Sequence, residues 1–151
     1  MELKSEAFEE GRYIPTVHAC QGQGRSPAIY WSDVPAGVKS FALVCEDPDA
    51  PFKVWIHWVV YNIAPEARNL VAGAGADDLL PRMTIEGVND FGKIGYGGPC
   101  PPPGNVHRYV FRLFALDTLL ASDKPLSRQE LDQAIKGHVI AQAQLTGLFK
   151  R

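Results

Sequence analysis

The stretch Trp55-Ile56-His57-Trp58-Val59-Val60-Tyr61-Asn62-Ile63 decides what kind of fold this chain has. It is rich in aromatic and β-branched residues, which fit a pleated strand and lose side-chain freedom in a helix. Trp55, His57, Val59, Tyr61 and Ile63 alternate with Ile56, Trp58, Val60 and Asn62, and both sets are mostly apolar. Such a strand belongs at the centre of a sheet covered on both sides. A second run, 107–116, has the same character. His107, Tyr109, Phe111 and Leu113 share one face; Arg108, Val110, Arg112 and Phe114 share the other. The apolar run Phe41-Ala42-Leu43-Val44-Cys45 halts at Asp47-Pro48-Asp49-Ala50-Pro51, which predicts a buried strand over about 41–46. Ile29-Tyr30-Trp31 and a weakly alternating edge within 1–12 complete a mainly β reading.

One helix is legible. Ser127 and Glu130 form a capping-box pair, Leu131, Ala134, Ile135 and His138 share a face, and Gly137 stops the pattern. Residues 139–146 alternate like a last strand, but their alanines and glutamines also suit a continued helix. Between the strong strands, Gly73 to Asp78 reads as a flexible loop, and Asn89 to Gly104 is long and rich in glycine and proline. A loop that long in a compact domain is functional or disordered. The prolines, with Phe91 and Tyr96 as anchors, argue for order.

At 151 residues with no linker or repeat, residues 1–151 form one domain. Fifteen basic against 17 acidic residues give a net charge of −2, with no footprint for nucleic acid or an anionic membrane. The longest apolar run, 58–61, is too short to cross a bilayer. Three cysteines without paired spacing predict no disulfide framework and no zinc site. No metal or cofactor is expected. The acidic N-terminus lacks a signal-like apolar core, and a reduced cytoplasm is the expected setting.

Polar chemistry gathers in two places. Asp47 and Asp49 lie in a proline-stiffened turn, which is good turn chemistry on any surface. His57 follows inside an apolar strand, where a buried imidazole needs a partner. Asp47 is the expected one, and a carboxylate there would raise the basicity of His57. His107 and Tyr109 make a second polar pair, although each alone is more often a satisfied core residue. Gly95, Gly97 and Gly98 fit either a backbone anion nest or a tight turn. Cys45 and Cys100 are candidate nucleophiles, but the proline-flanked Cys100 has no helix N-terminus to activate it.

These motifs, taken in order, resemble the phosphatidylethanolamine-binding protein family in its short prokaryotic, Raf kinase inhibitor-like form. The resemblance runs through Ser26-Pro27-Ala28-Ile29-Tyr30-Trp31, Asp47-Pro48-Asp49-Ala50-Pro51 and the 55–63 strand. It continues through Gly95-Tyr96-Gly97-Gly98-Pro99-Cys100-Pro101-Pro102, Gly104-x-x-His107-Arg108-Tyr109 and Gly137-His138-Val139. It implies two packed antiparallel sheets, a few peripheral helices and an anion-accepting pocket at one end. The implied lining is Asp47, Asp49, Pro51, Trp55, His57, Gly98, His107 and Tyr109, with Cys100 beside them.

The expected function is therefore non-catalytic binding of a phosphate-bearing or other small anion, with a regulated partner unidentified. The competing readings are a hydrolase with His57 as base, and a kinase or protease inhibitor acting by surface contacts. Two further expectations concern detail. A cis proline is expected within 47–51. The resemblance also implies pairing, since prokaryotic relatives often pair, and Trp31, Trp58 and Phe149 are the expected exposed apolar residues of a homodimer.

Overall fold

The computed structural model describes residues 1–151. Eight strands form two antiparallel sheets: β1 Glu2–Ser5, β2 Ile29–Ser32, β3 Ser40–Asp47, β4 Trp55–Ile63, β5 Asn69–Leu70, β6 Ile85–Glu86, β7 His107–Leu116 and β8 Val139–Phe149. The smaller sheet runs β1-β2-β5 and the larger β6-β4-β3-β7-β8. Strand β3 lies between the two long strands, and every one of its residues is buried. Phe41, Leu43 and Cys45 point into a core shared with Leu3, Ile29 and Trp31 of the small sheet. Ala42 and Val44 face a second core, closed by Leu120, Leu126, Leu131 and Ile135.

Helix α1, Arg128–Ile135, covers that second core. Ser127 Oγ accepts the Glu130 N–H, and Glu130 returns a bond to the Ser127 N–H, which satisfies amides that a helix start leaves open. Gly137, at φ 81, turns the chain away. The segment after it is the strand β8, not more helix, because His107 to Leu116 offers it a full antiparallel ladder. Residues 11–14 bond along the outer edge of its second half. Gly11 N–H and Ile14 N–H donate to Thr146 and Leu148 carbonyls, and Leu148 N–H donates to Arg12.

The two-residue period along β4 breaks twice. Cys45 pairs with Trp58 and Glu46 with Ile56, so His57 is the extra residue of a β-bulge. A second irregularity lies between the pairs Phe41–Ile63 and Leu43–Val60, where Asn62 adopts φ 53. Trp58 and Val60 therefore face the inter-sheet core while Val59 and Tyr61 face the helix side. Trp58 Nε1–H donates to Glu86 Oε2 at 2.8 Å, which satisfies an otherwise buried donor.

Trp31, Trp58 and Phe149 are core residues, contrary to the expectation that they lie exposed. Each side chain fills the space between the sheets, so none offers a surface for a second copy. No helix is long and apolar enough to cross a membrane.

Two substitutions test this packing. A Cβ on Gly147 would meet Ile14 and Phe8 side-chain carbons at 2.5 and 2.7 Å. Gly147→Ala is expected to lower stability by about 1–3 kcal/mol through overpacking. Ser127→Ala should cost about 1 kcal/mol through the lost cap. Urea denaturation of each variant provides the measurement.

Candidate functional site

At one end of the larger sheet, the β3–β4 turn, the start of β4, the start of β7 and the 97–102 loop enclose a cavity of ≈ 270 Å³. Its lining includes Asp47, Pro51, Trp55, His57, Cys100, His107 and Tyr109. Seven of the nine expected residues therefore meet in one place. Asp49 and Gly98 do not line it, for different reasons. Asp49 turns outward and accepts from Arg108 three times, from the backbone N–H (2.9 Å), Nε (3.0 Å) and Nη2 (2.8 Å). Those bonds hold its carboxyl below the usual range. Gly98 packs its backbone on the 18–19 turn, where a Cβ would lie 2.4 Å from the His18 carbonyl oxygen. It is needed for close approach, not for contact with a ligand.

The expected Asp47–His57 bond is replaced by Asp47–His107. His107 Nδ1–H donates to Asp47 Oδ2 at 2.7 Å, and their side chains are 8% and 4% exposed. The other oxygen of Asp47 accepts the Asp49 N–H at 2.8 Å and shapes the turn. All peptide bonds are trans, so this side chain-to-backbone bond makes the turn without the expected cis proline.

The bulge explains where His57 goes. Freed from the β3 ladder, it binds the 97–102 loop. The Gly97 N–H donates to the His57 carbonyl at 2.8 Å, and His57 Nδ1–H donates to the Gly97 carbonyl at 2.6 Å. A carbonyl only accepts, so the ring proton sits on Nδ1 and Nε2 is left available. The ring stands edge-on to Tyr109 at 5.2 Å and to Phe91 at 5.4 Å. Burial lowers the His57 pKa; the Gly97 bond and the charge of Asp47 oppose this without overcoming it. The expected upward shift is thus reversed, because Asp47 spends its bonding on His107.

Tyr109 is wholly buried, and its hydroxyl makes no well-formed hydrogen bond, although the Asp47 carboxylate lies close to it. Burial first, then the nearby Asp47 charge, pushes its pKa far up, so it remains a neutral donor. The amides of Gly95 and Gly97 donate to Gly87 and His57, so the glycine cluster is a structural turn and those amides are not an anion nest.

The cysteines overturn the expectation of no disulfide. Cys20 and Cys100, 80 residues apart, are bonded, and Cys45 is the free, buried thiol. Spacing could not show this, because the partners are joined by a loop and a turn that meet only in the fold. Cys100 lines the cavity as half of a bridge, not as a free nucleophile. No group of three or more histidine, cysteine or acidic residues is placed to hold a metal ion.

Five lining residues were not expected: Ala50, Phe52, Phe91, Pro101 and Pro102. Phe52 is fully exposed at φ 74, a costly backbone for a residue with a bulky side chain. Its place directly after Pro51 in the turn is a signal that the sequence reading passed over.

The sequence profile of the Phosphatidylethanolamine-binding protein family matches residues 4–150. A UPF0098 protein of Methanothermobacter thermautotrophicus is 46% identical over 151 residues, spanning all of this chain and 99% of that protein. A crystal structure of a putative phosphatidylethanolamine-binding protein homologue from Chlamydia trachomatis is 42% identical. It superposes with a TM-score of 0.90 over 99% of this chain and 97% of its own. E. coli YbcL, a new member of the mammalian family, is 36% identical with a TM-score of 0.93, over 99% and 98% of the two chains. The chain belongs to the phosphatidylethanolamine-binding protein family. UPF0098 proteins of Chlamydia muridarum and Aquifex aeolicus are 42% and 44% identical, each over all of this chain.

The burial of His57 has a consequence for stability. Its folded pKa lies below the unfolded value of ~6.5, so the unfolded chain takes up the proton first. This contribution to stability is fully present above ~6.5 and is lost as pH falls through the folded value. His57→Gln, which retains a donor for the Gly97 carbonyl, should flatten the dependence. Thermal melting of both proteins across mildly acidic pH checks it.

Proposed function

We propose that this protein is a non-catalytic binding protein whose cavity takes the phosphate-bearing end of a small ligand, of the phospholipid head-group kind. The observation that carries this reading is the buried Tyr109 hydroxyl. It makes no well-formed hydrogen bond within the chain, its neighbour Asp47 being committed to His107 and to the Asp49 amide, and it shares its cavity with two imidazoles. A buried polar group without a partner costs about 1–3 kcal/mol, and an anionic oxygen would relieve that cost.

The remaining donors follow from the geometry. His57 Nδ1 is committed to Gly97, so Nε2 must either gain a proton to donate or accept one from the ligand. A phosphate monoester satisfies both needs, because its singly protonated form carries a P–OH that can donate to Nε2. Asp47 holds the His107 Nδ1–H and so orients that ring, whose Nε2, like that of His57, donates to an anion only when the imidazole carries a second proton. The apolar rim of Phe52, Trp55, Phe91, Pro101 and Pro102 suits a ligand with a hydrocarbon or aromatic body.

A hydrolase is the second reading, and the Asp47–His107 pair is the observation that favours it, since a carboxylate-oriented imidazole is a base geometry. Against it, the cysteine in the cavity is oxidised and no serine or threonine lines the cavity. The proposed setting remains the cytoplasm, where disulfides are usually transient or redox-sensing.

Calorimetric titration with a phosphodiester, an alkyl sulfonate and a phosphate monoester tests the reading. Phosphodiester and sulfonate should bind more tightly as pH falls through the lowered His57 pKa, while the monoester holds its affinity to higher pH. Tyr109→Phe should weaken all three by about 1–2 kcal/mol, or roughly fivefold to thirtyfold. Steady turnover of phosphoesters or carboxylic esters that vanishes in His107→Ala would replace this reading with the hydrolase.

A further inference from the structure

We propose that the Cys20–Cys100 bridge is a thiol-exchange site in the pocket wall, taking a low-molecular-weight thiol as covalent ligand and setting the occupancy of the cavity. Three observations carry it. Both cysteines are exposed, and Cys100 lines the cavity. Exposed disulfides are the labile ones, whereas structural bridges are shielded. Nη1 of Arg151 lies 3.7 Å from Cys100 Sγ and donates to it, whereas Cys20 Sγ receives no hydrogen bond. A neighbouring cation stabilises a thiolate, so Cys100 is the better leaving group of the pair.

The first step follows from that asymmetry. A small thiolate attacks Cys20 Sγ, a new sulfur–sulfur bond forms there, the Cys20–Cys100 bond breaks, and Cys100 departs as a thiolate beside Arg151. A second thiolate attacks the mixed disulfide and releases Cys20. The protein gains two electrons, and two small thiols become one small disulfide; the reverse sequence restores the bridge. Cys45 takes no part, because it is wholly buried and burial pushes its thiol pKa up.

The loop that carries Cys100 survives reduction. The Cys20 N–H still donates to the Pro99 carbonyl, and the Tyr96 hydroxyl to the His18 carbonyl. Gly97 stays clasped to His57. What changes is the wall from Cys100 to Pro102, which loses its covalent tie and gains a negative charge. A thiolate there opposes an anion in the cavity. This coupling rests on the anion-binding reading above; the exchange itself does not.

Intact mass spectrometry of the folded protein, equilibrated with glutathione and its disulfide at varied ratios and acid-quenched, tests the exchange. The expected result is a single glutathione adduct mapped to Cys20, then the dithiol, with the circular dichroism unchanged. Arg151→Gln should slow the first step roughly threefold. A bridge that reacts only after denaturant is added overturns the proposal. So does an adduct on Cys20 and Cys100 alike whose rate ignores Arg151→Gln. Titration with a dialkyl phosphate probe reads the coupling separately, and the dithiol should bind it roughly threefold to tenfold more weakly than the bridged protein. Equal affinity in both redox states overturns the coupling. Absence of binding in either state refutes the anion pocket and leaves the exchange result standing.

Discussion

The bulge at His57 is the constraint on which the site depends. A regular strand would have paired this residue with β3 and carried the two-residue alternation onward. The extra residue instead frees both the carbonyl and the ring of His57 to clasp Gly97. That clasp fixes the long glycine- and proline-rich loop against the end of the sheet. It also sets the tautomer of the imidazole, and so the chemistry the cavity can offer.

Asp47 does the corresponding work on the other side. One oxygen holds the turn between β3 and β4, and the other holds the first residue of β7. A single carboxylate thus joins three segments that come together only at this end of the sheet. Its partner choice also decides how His57 ionises. With the carboxylate spent on His107, desolvation governs His57 and keeps it neutral where a free imidazole would begin to charge. The two histidines are chemically unlike for this reason, although both lie in apolar strands.

Much of this was legible in the residues. The three long strands were readable because an apolar run bounded by turn residues has few other uses. The capping box located α1, because its two side chains bond only across one helical turn. Seven of the nine expected residues do share a cavity. What failed was phase and pairing. Nothing in 55–63, which has no glycine or proline, marks an inserted residue, so strict alternation misplaced the strand's faces. Trp31, Trp58 and Phe149 look equally plausible outside or inside until the second sheet covers them. The Cys20–Cys100 bridge and the Asp47–His107 pair join residues 80 and 60 apart, distances at which local pattern carries no information.

The pairing of residues 11–14 with the last strand has a consequence for how the chain is made. The ribosome makes this segment well before β8, so residues 11–14 must wait for residues 139–149 before they find their partner. The central strand waits as well, since Ser40 lies opposite Leu116. Apart from the β3–β4 hairpin, the large sheet's ladders join residues far apart in sequence, and folding dominated by such distant pairings falls in the millisecond-to-second range. Through synthesis, the apolar faces of β3 and β4 stay uncovered and are the segments most in need of chaperone protection.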